Sequence, residues 1–128
     1  MPKVKQLTIV CENRPGTLAR IGTALGKVKV NILGFNASAA GLKGPIQLVV
    51  DNANKAKKVL KREGLSCTEE VVLYVTLPNV PGALGRFARK LAAKDINIGA
   101  GYQTSVKGSR RAGIVLAVSN IKSVARVL

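Results

Sequence analysis

The chain has 128 residues, 47% of them apolar, which suits one ordinary domain or two very small ones. It has no histidine and only six acidic residues, so the commonest general acid-base, the His-paired nucleophiles and most zinc sites are excluded and catalysis is disfavoured. The net charge of +15 invites an anionic partner, but the basic residues are spread over both halves and form no tail.

In chain order, residues 6–11 alternate and are β-branched, which predicts a strand. The loop Glu12-Asn13-Arg14-Pro15-Gly16-Thr17-Leu18 follows. Leu18, Ile21 and Leu25 then recur at helical spacing. Residues 30–35 read as a second strand, 41–45 as a Gly/Pro turn and 46–50 as a third strand. Residues 53–63 read as a helix with Val59 and Leu60 inward and Gly64 as its stop. Its Lys55, Lys57, Lys58, Lys61 and Arg62 have the spacing of a solvated face. Residues 65–70 give a short fourth strand.

The same order then begins again. Between residues 13–32 and 79–98 eight of twenty positions are identical at a constant offset of 66. The offset becomes 68 after a two-residue insertion near 107–111, so that Asn52 matches Asn120. Two copies of one unit follow, 1–70 and 71–128. Each is β-α-β-β-α-β, the split βαβ or ferredoxin-like plan of α+β class, an antiparallel sheet with helices on one face. The second copy has strands near 72–77, 96–106 and 112–118 and a helix near 120–128. Its fourth strand is missing, which leaves 72–77 as an edge of the kind that natural proteins usually cover. Cys11 and Cys67 have neither disulfide-framework nor metal spacing and are expected as neighbouring free thiols.

The loop itself is written twice, as Asn13-Arg14-Pro15-Gly16-Thr17-Leu18 and as Asn79-Val80-Pro81-Gly82-Ala83-Leu84. Pro15 and Pro81 fit the first turn of a helix. Gly16 and Gly82 allow close approach to the backbone. The N–H groups at Gly16, Thr17 and Leu18, and at Gly82, Ala83 and Leu84, suit a carboxylate. Asn13 and Asn79 add both a donor and an acceptor. Together they fit a zwitterion, while the same residues also make a plain turn and cap. A second matched pair, Asn31 and Asn97, opens the second strand in both copies, where polar edge residues are equally at home.

The runs "CENRPGTLARIGTAL…VNI" and "LPNVPGALGRFARKLAAKDINI" resemble the ACT domain, a small regulatory module of amino-acid metabolism. The first is particularly similar to the serine-sensing domain of D-3-phosphoglycerate dehydrogenase, and the layout to stand-alone bacterial tandem ACT proteins. The resemblance implies sheets joined side by side through their second strands, with an amino acid at the seam. Asn13, Arg14, Gly16, Thr17 and Leu18 would then face Asn97, and Asn79, Gly82, Ala83 and Leu84 would face Asn31. A His of the serine-sensing relative is replaced by Cys11 and Leu77, and Arg14 is matched by Val80, so the two sites need not be equivalent.

The resulting expectation is a cytoplasmic, non-catalytic amino-acid sensor without cofactor, metal or membrane contact. It would form a homodimer and regulate an amino-acid biosynthetic enzyme. The rivals are an assembly module without ligand and a weak basic nucleic-acid binder. Four aromatics, Phe35, Phe87, Tyr74 and Tyr102, supply a base-stacking platform poorly, which argues against nucleic acid.

Overall fold

A computed structural model describes residues 3–12, 14–38 and 41–126. The elements are β1 (Lys3–Glu12), α1 (Thr17–Lys27), β2 (Ile32–Ala37), β3 (Lys43–Val50), α2 (Ala53–Arg62), β4 (Cys67–Pro78), α3 (Ala83–Ala93), β5 (Ile98–Thr104), β6 (Arg111–Val118) and a final 3₁₀ segment, Ile121–Arg126. Contacts divide the chain into two units, Lys5–Glu70 and Val71–Leu128 with Met1–Val4.

In the first unit the strand order is β2-β3-β1-β4. β1 and β3 are antiparallel, with Leu7 opposite Leu48 and Ile9 opposite Ile46. Opposed residues share a face, so these four side chains project together. Ile21 and Leu25 of α1 and Ala56, Val59 and Leu60 of α2 cover them. Leu7, Ile9, Ile21, Leu25, Leu48 and Leu60 are fully buried. Each such side chain contributes roughly 1.5–3 kcal/mol of transfer free energy.

The second unit repeats this core residue by residue. Leu73 and Val75 replace Leu7 and Ile9, Phe87 and Leu91 replace Ile21 and Leu25, and Ile114 and Leu116 replace Ile46 and Leu48. Its strand order is β4-β6-β5, with β4 and β5 both antiparallel to β6. Val124 of the 3₁₀ segment closes the cluster where a longer helix was expected. Residues 127 and 128 of that expected helix lie outside the described residues.

One expectation needs correction. Residues 65–70 and 72–77 are not separate strands: β4 runs unbroken from Cys67 to Pro78. The edge on 72–77 is covered. β1 is longer than its alternating stretch, β4 lies between it and β6, and Lys3 and Val4 belong to the second unit. The start of the first strand thus stands where the fourth strand is missing.

Helix ends are copied as faithfully as cores. At the end of α1, Val30 N–H donates to the Leu25 carbonyl at 3.0 Å and Lys29 N–H to the Gly26 carbonyl at 3.0 Å. At the end of α3, Ile96 N–H donates to Leu91 at 3.0 Å and Asp95 N–H to Ala92 at 2.9 Å. Both are Schellman ends, which place one residue in the left-handed region. Gly64 takes that role after α2, with φ 75°.

Candidate functional site

The repeated loop is a turn followed by a helix start. Thr17 N–H donates to the Arg14 carbonyl at 3.4 Å, and Ala83 N–H to the Val80 carbonyl at 3.3 Å. Gly16 and Gly82 have φ of 93° and 86°. Proline at the second position and left-handed glycine at the third make a type II turn. The prolines therefore precede the helix cap instead of occupying the first helical turn, because α1 begins at Thr17 and α3 at Ala83. Within the chain itself the glycine requirement is conformational. A Cβ on Gly16 would meet nothing within 4 Å, so it is the positive φ that demands glycine.

The N-termini of α1 and α3 have no side-chain cap and no acidic residue in their first turn. α2 differs: Asn52 Oδ1 accepts from Lys55 N–H at 3.1 Å. In α1 the N–H groups of Leu18 and Ala19 fall in the first turn, which has no intrahelical acceptor. Leu84 and Gly85 are their counterparts in α3. Thr17 N–H is already engaged in the turn, so of the expected donors Leu18 N–H stays available, joined by Ala19 N–H.

Beside each loop lies a cavity. The first, of about 260 Å³, is lined by Cys11, Glu12, Arg14, Thr17, Leu18, Ala37, Ser38, Gly44 and Ile46. The second, of about 210 Å³, is lined by Leu77, Pro78, Asn79, Val80, Gly82, Ala83, Leu84, Gly85, Gln103, Ala112 and Ile114. The two correspond position by position. Cys11 matches Leu77, Arg14 matches Val80 and Leu18 matches Leu84 at the offset of 66. Gly44 and Ile46 match Ala112 and Ile114 at the offset of 68.

Polar contacts hold the walls. Arg14 Nε lies 3.2 Å from Glu12 Oε2, both side chains well exposed. Thr17 Oγ1 donates to the Glu12 carbonyl at 3.1 Å, and the Cys11 thiol lies 4.0 Å from the Gly44 carbonyl. In the second unit Asn79 Nδ2 donates to the Ser109 carbonyl at 2.9 Å. Cys11 and Cys67 are both free thiols, and burial pushes the Cys67 thiol above its ordinary value.

Of the expected site residues, Arg14, Thr17 and Leu18 line the first cavity and Asn79, Gly82, Ala83 and Leu84 line the second. Asn13 lies outside the described residues. Gly16 faces a different groove, shared with Arg20, Thr23 and Lys27 of α1 and with Val59 and Arg62 of α2. Asn31 and Asn97 line neither cavity of their own unit. Asn31 N–H donates to Asp51 Oδ1 at 3.0 Å and Asn97 N–H to Ser119 Oγ at 2.9 Å, so both open their strands through backbone contacts. The walls that sequence reasoning missed, Ala37, Ser38 and Gly44 with Gln103 and Ala112, come from the far ends of the second strand and the facing third strand. The repeat offsets were their one signal, 66 for Ala37 with Gln103 and 68 for Gly44 with Ala112.

Residues 5–62 match the family model of the ACT domain. That span covers nearly all of the unit Lys5–Glu70, which carries the strand, loop and helix just described. The first unit therefore carries the ACT-domain match. The second repeats its fold, and the chain is a tandem of ferredoxin-like units. ACT domains are regulatory modules that bind small molecules.

Solved structures extend the likeness over the whole chain. A protein of Bacteroides thetaiotaomicron is 28% identical, with a TM-score of 0.90 over 99% of this chain and 87% of its own. The ligand-free regulatory subunit of aspartate kinase from Thermus thermophilus is 14% identical, with a TM-score of 0.71 over 97% and 89%. The Thermus flavus regulatory subunit is 14% identical, with a TM-score of 0.65 over 99% and 88%. At that identity the two kinase subunits share the fold alone with this chain. The search of curated proteins found no match. Among the described residues no helix is long and apolar enough to cross a membrane, and no three His, Cys, Asp or Glu side chains group to hold a metal.

Proposed function

We propose that the chain is a non-catalytic sensor that binds a small amino acid beside the repeated loop and reports its level to an enzyme of amino-acid metabolism. One observation carries this reading: the same cavity recurs in both units on equivalent residues, next to a helix start without its own cap. The first-turn N–H groups would receive the carboxylate, aided by the helix dipole. The Asn79 carbonyl oxygen, whose amide nitrogen is held by Ser109, would accept from the ammonium.

β2 and β5 are edge strands within their own units. An edge strand offers a row of free N–H and C=O groups to another strand. In this reading a further wall of the site is such an edge from a second copy of the chain, bringing Asn31 or Asn97 to the ligand. Binding then ties two copies together, and a homodimer is the sensing form. Titration calorimetry with the twenty amino acids, read beside light scattering, is the test. A saturable heat for one amino acid together with dimer formation supports the sensor. Absence of any heat or melting shift at millimolar ligand overturns it.

A further inference from the structure

Resting on that reading, we infer that the two cavities select different side chains: a hydroxyl or carboxamide amino acid in the first unit and an aliphatic one in the second. The anchoring features are common to both. Each has the type II turn, the left-handed glycine, the uncapped helix start and a leucine, Leu18 or Leu84, on the wall.

The surroundings differ at nearly every other position. The ion-paired Glu12 and Arg14 of the first cavity become Pro78 and Val80 in the second. Thr17 becomes Ala83 and Cys11 becomes Leu77. Arg14 offers donors, and Glu12 offers an acceptor beyond the oxygen it shares with Arg14. A hydroxyl or carboxamide needs both kinds of partner at once. An aliphatic chain there would cover the pair and return nothing for the lost hydration.

The second cavity reverses the balance. Among its polar side chains Asn79 has its amide nitrogen engaged by Ser109, leaving Gln103 as the other polar group. A ligand hydroxyl set against Leu77, Val80 and Ala83 would find its partner in Gln103 alone, where the first cavity offers the Glu12–Arg14 pair and Thr17. Discrimination is expected to be stronger in the polar site, because a site built to hydrogen-bond rejects an analogue lacking the group more severely than an apolar site rejects an added hydroxyl.

The experiment is calorimetry of the full chain with L-serine, L-asparagine, L-valine and L-leucine. It uses wild type, an Arg14→Val/Thr17→Ala variant and a Val80→Arg variant, with melting curves as a check of folding. The expected result is one polar and one aliphatic ligand per chain, each undiminished by saturation with the other. Arg14→Val/Thr17→Ala should weaken the polar ligand at least tenfold and spare the aliphatic one. Val80→Arg should do the reverse. A single amino acid filling both cavities, with both variants weakening it alike, overturns the division of labour and leaves the sensor standing. If none of the four probes nor any other amino acid binds folded wild type, the sensor reading itself falls and this inference with it.

Discussion

Asn79 reaches across from the repeated loop to the β5–β6 connection, where its Nδ2 donates to the Ser109 carbonyl at 2.9 Å. Asn79 N–H donates in parallel to the Arg110 carbonyl at 2.9 Å. Ser109 sits in the connection, near 107–111, where the repeat offset shifts, and its carbonyl gives the loop an acceptor. Asn79→Ala removes one of these two bonds. A loss of about 0.5–1.5 kcal/mol in stability is expected, measured by urea unfolding. An unchanged midpoint would show that the loop is held without the side chain.

Asn97 behaves differently. Its backbone is fixed by Ser119, but its side chain makes no hydrogen bond among the described residues. Asn97→Ala should therefore change stability by less than about 0.5 kcal/mol. Under the proposed function it should weaken amino-acid binding by roughly 1–3 kcal/mol, since the ligand loses a polar partner. Calorimetry on the variant, beside its unfolding curve, separates the two effects. Full affinity would remove Asn97 from the site.

Gly16 tests the turn. An alanine there has room but must keep φ near 93°. Left-handed backbone costs a non-glycine residue roughly 1–2 kcal/mol, and Gly16→Ala is expected to lose that much. Gly82→Ala should lose a similar amount, since the neighbour it would crowd, Arg86 Nη1, is the end of a flexible side chain. Thermal or urea unfolding of both variants decides. No loss in either would mean that the type II turn relaxes freely.

Lys29 and Asp95 pay the same cost in the wild type. They are the non-glycine residues with positive φ among those described, at 61° and 57°. Lys29→Gly and Asp95→Gly should each stabilise by up to about 1 kcal/mol, strain relief being partly offset by the greater unfolded-state entropy of glycine. A destabilisation in both would show that their side chains contribute more than the strain removes.

Glu69 should make stability fall on acidification. Its hydrogen bond with Lys57 holds the carboxyl below the ordinary value of 4.5, opposed by desolvation and aided by Lys5 at 3.5 Å. A depressed folded-state pKa gives a contribution that is present above the unfolded value and lost as pH falls through the folded one. Wild type should thus exceed Glu69→Gln at pH 7, and the gap should close as pH drops below about 4.5. A gap independent of pH would assign the loss to something other than charge.

Local periodicity made much of this molecule legible in its sequence. Alternation marked the strands, Ile21 and Leu25 marked the buried side of α1, Gly64 marked the end of α2, and the constant offset marked two copies of one unit. These signals lie within a few residues of each other, and chain geometry converts them directly into structure. The ferredoxin-like plan follows from their order.

Tertiary structure decided what depends on register and on long-range pairing. Ala37 and Gly44 reach the first cavity because β2, β3 and β1 align their ends beside the loop, which no local pattern encodes. Lys3 and Val4 serve the second unit because β1 extends past its alternating stretch, where lysines gave no strand signal. The turn type, too, emerged from backbone angles: Pro-Gly is compatible with a helix start or with the turn before it, and the positive φ of Gly16 and Gly82 settles the choice. Local rules specify elements, while strand register specifies which distant side chains share a cavity.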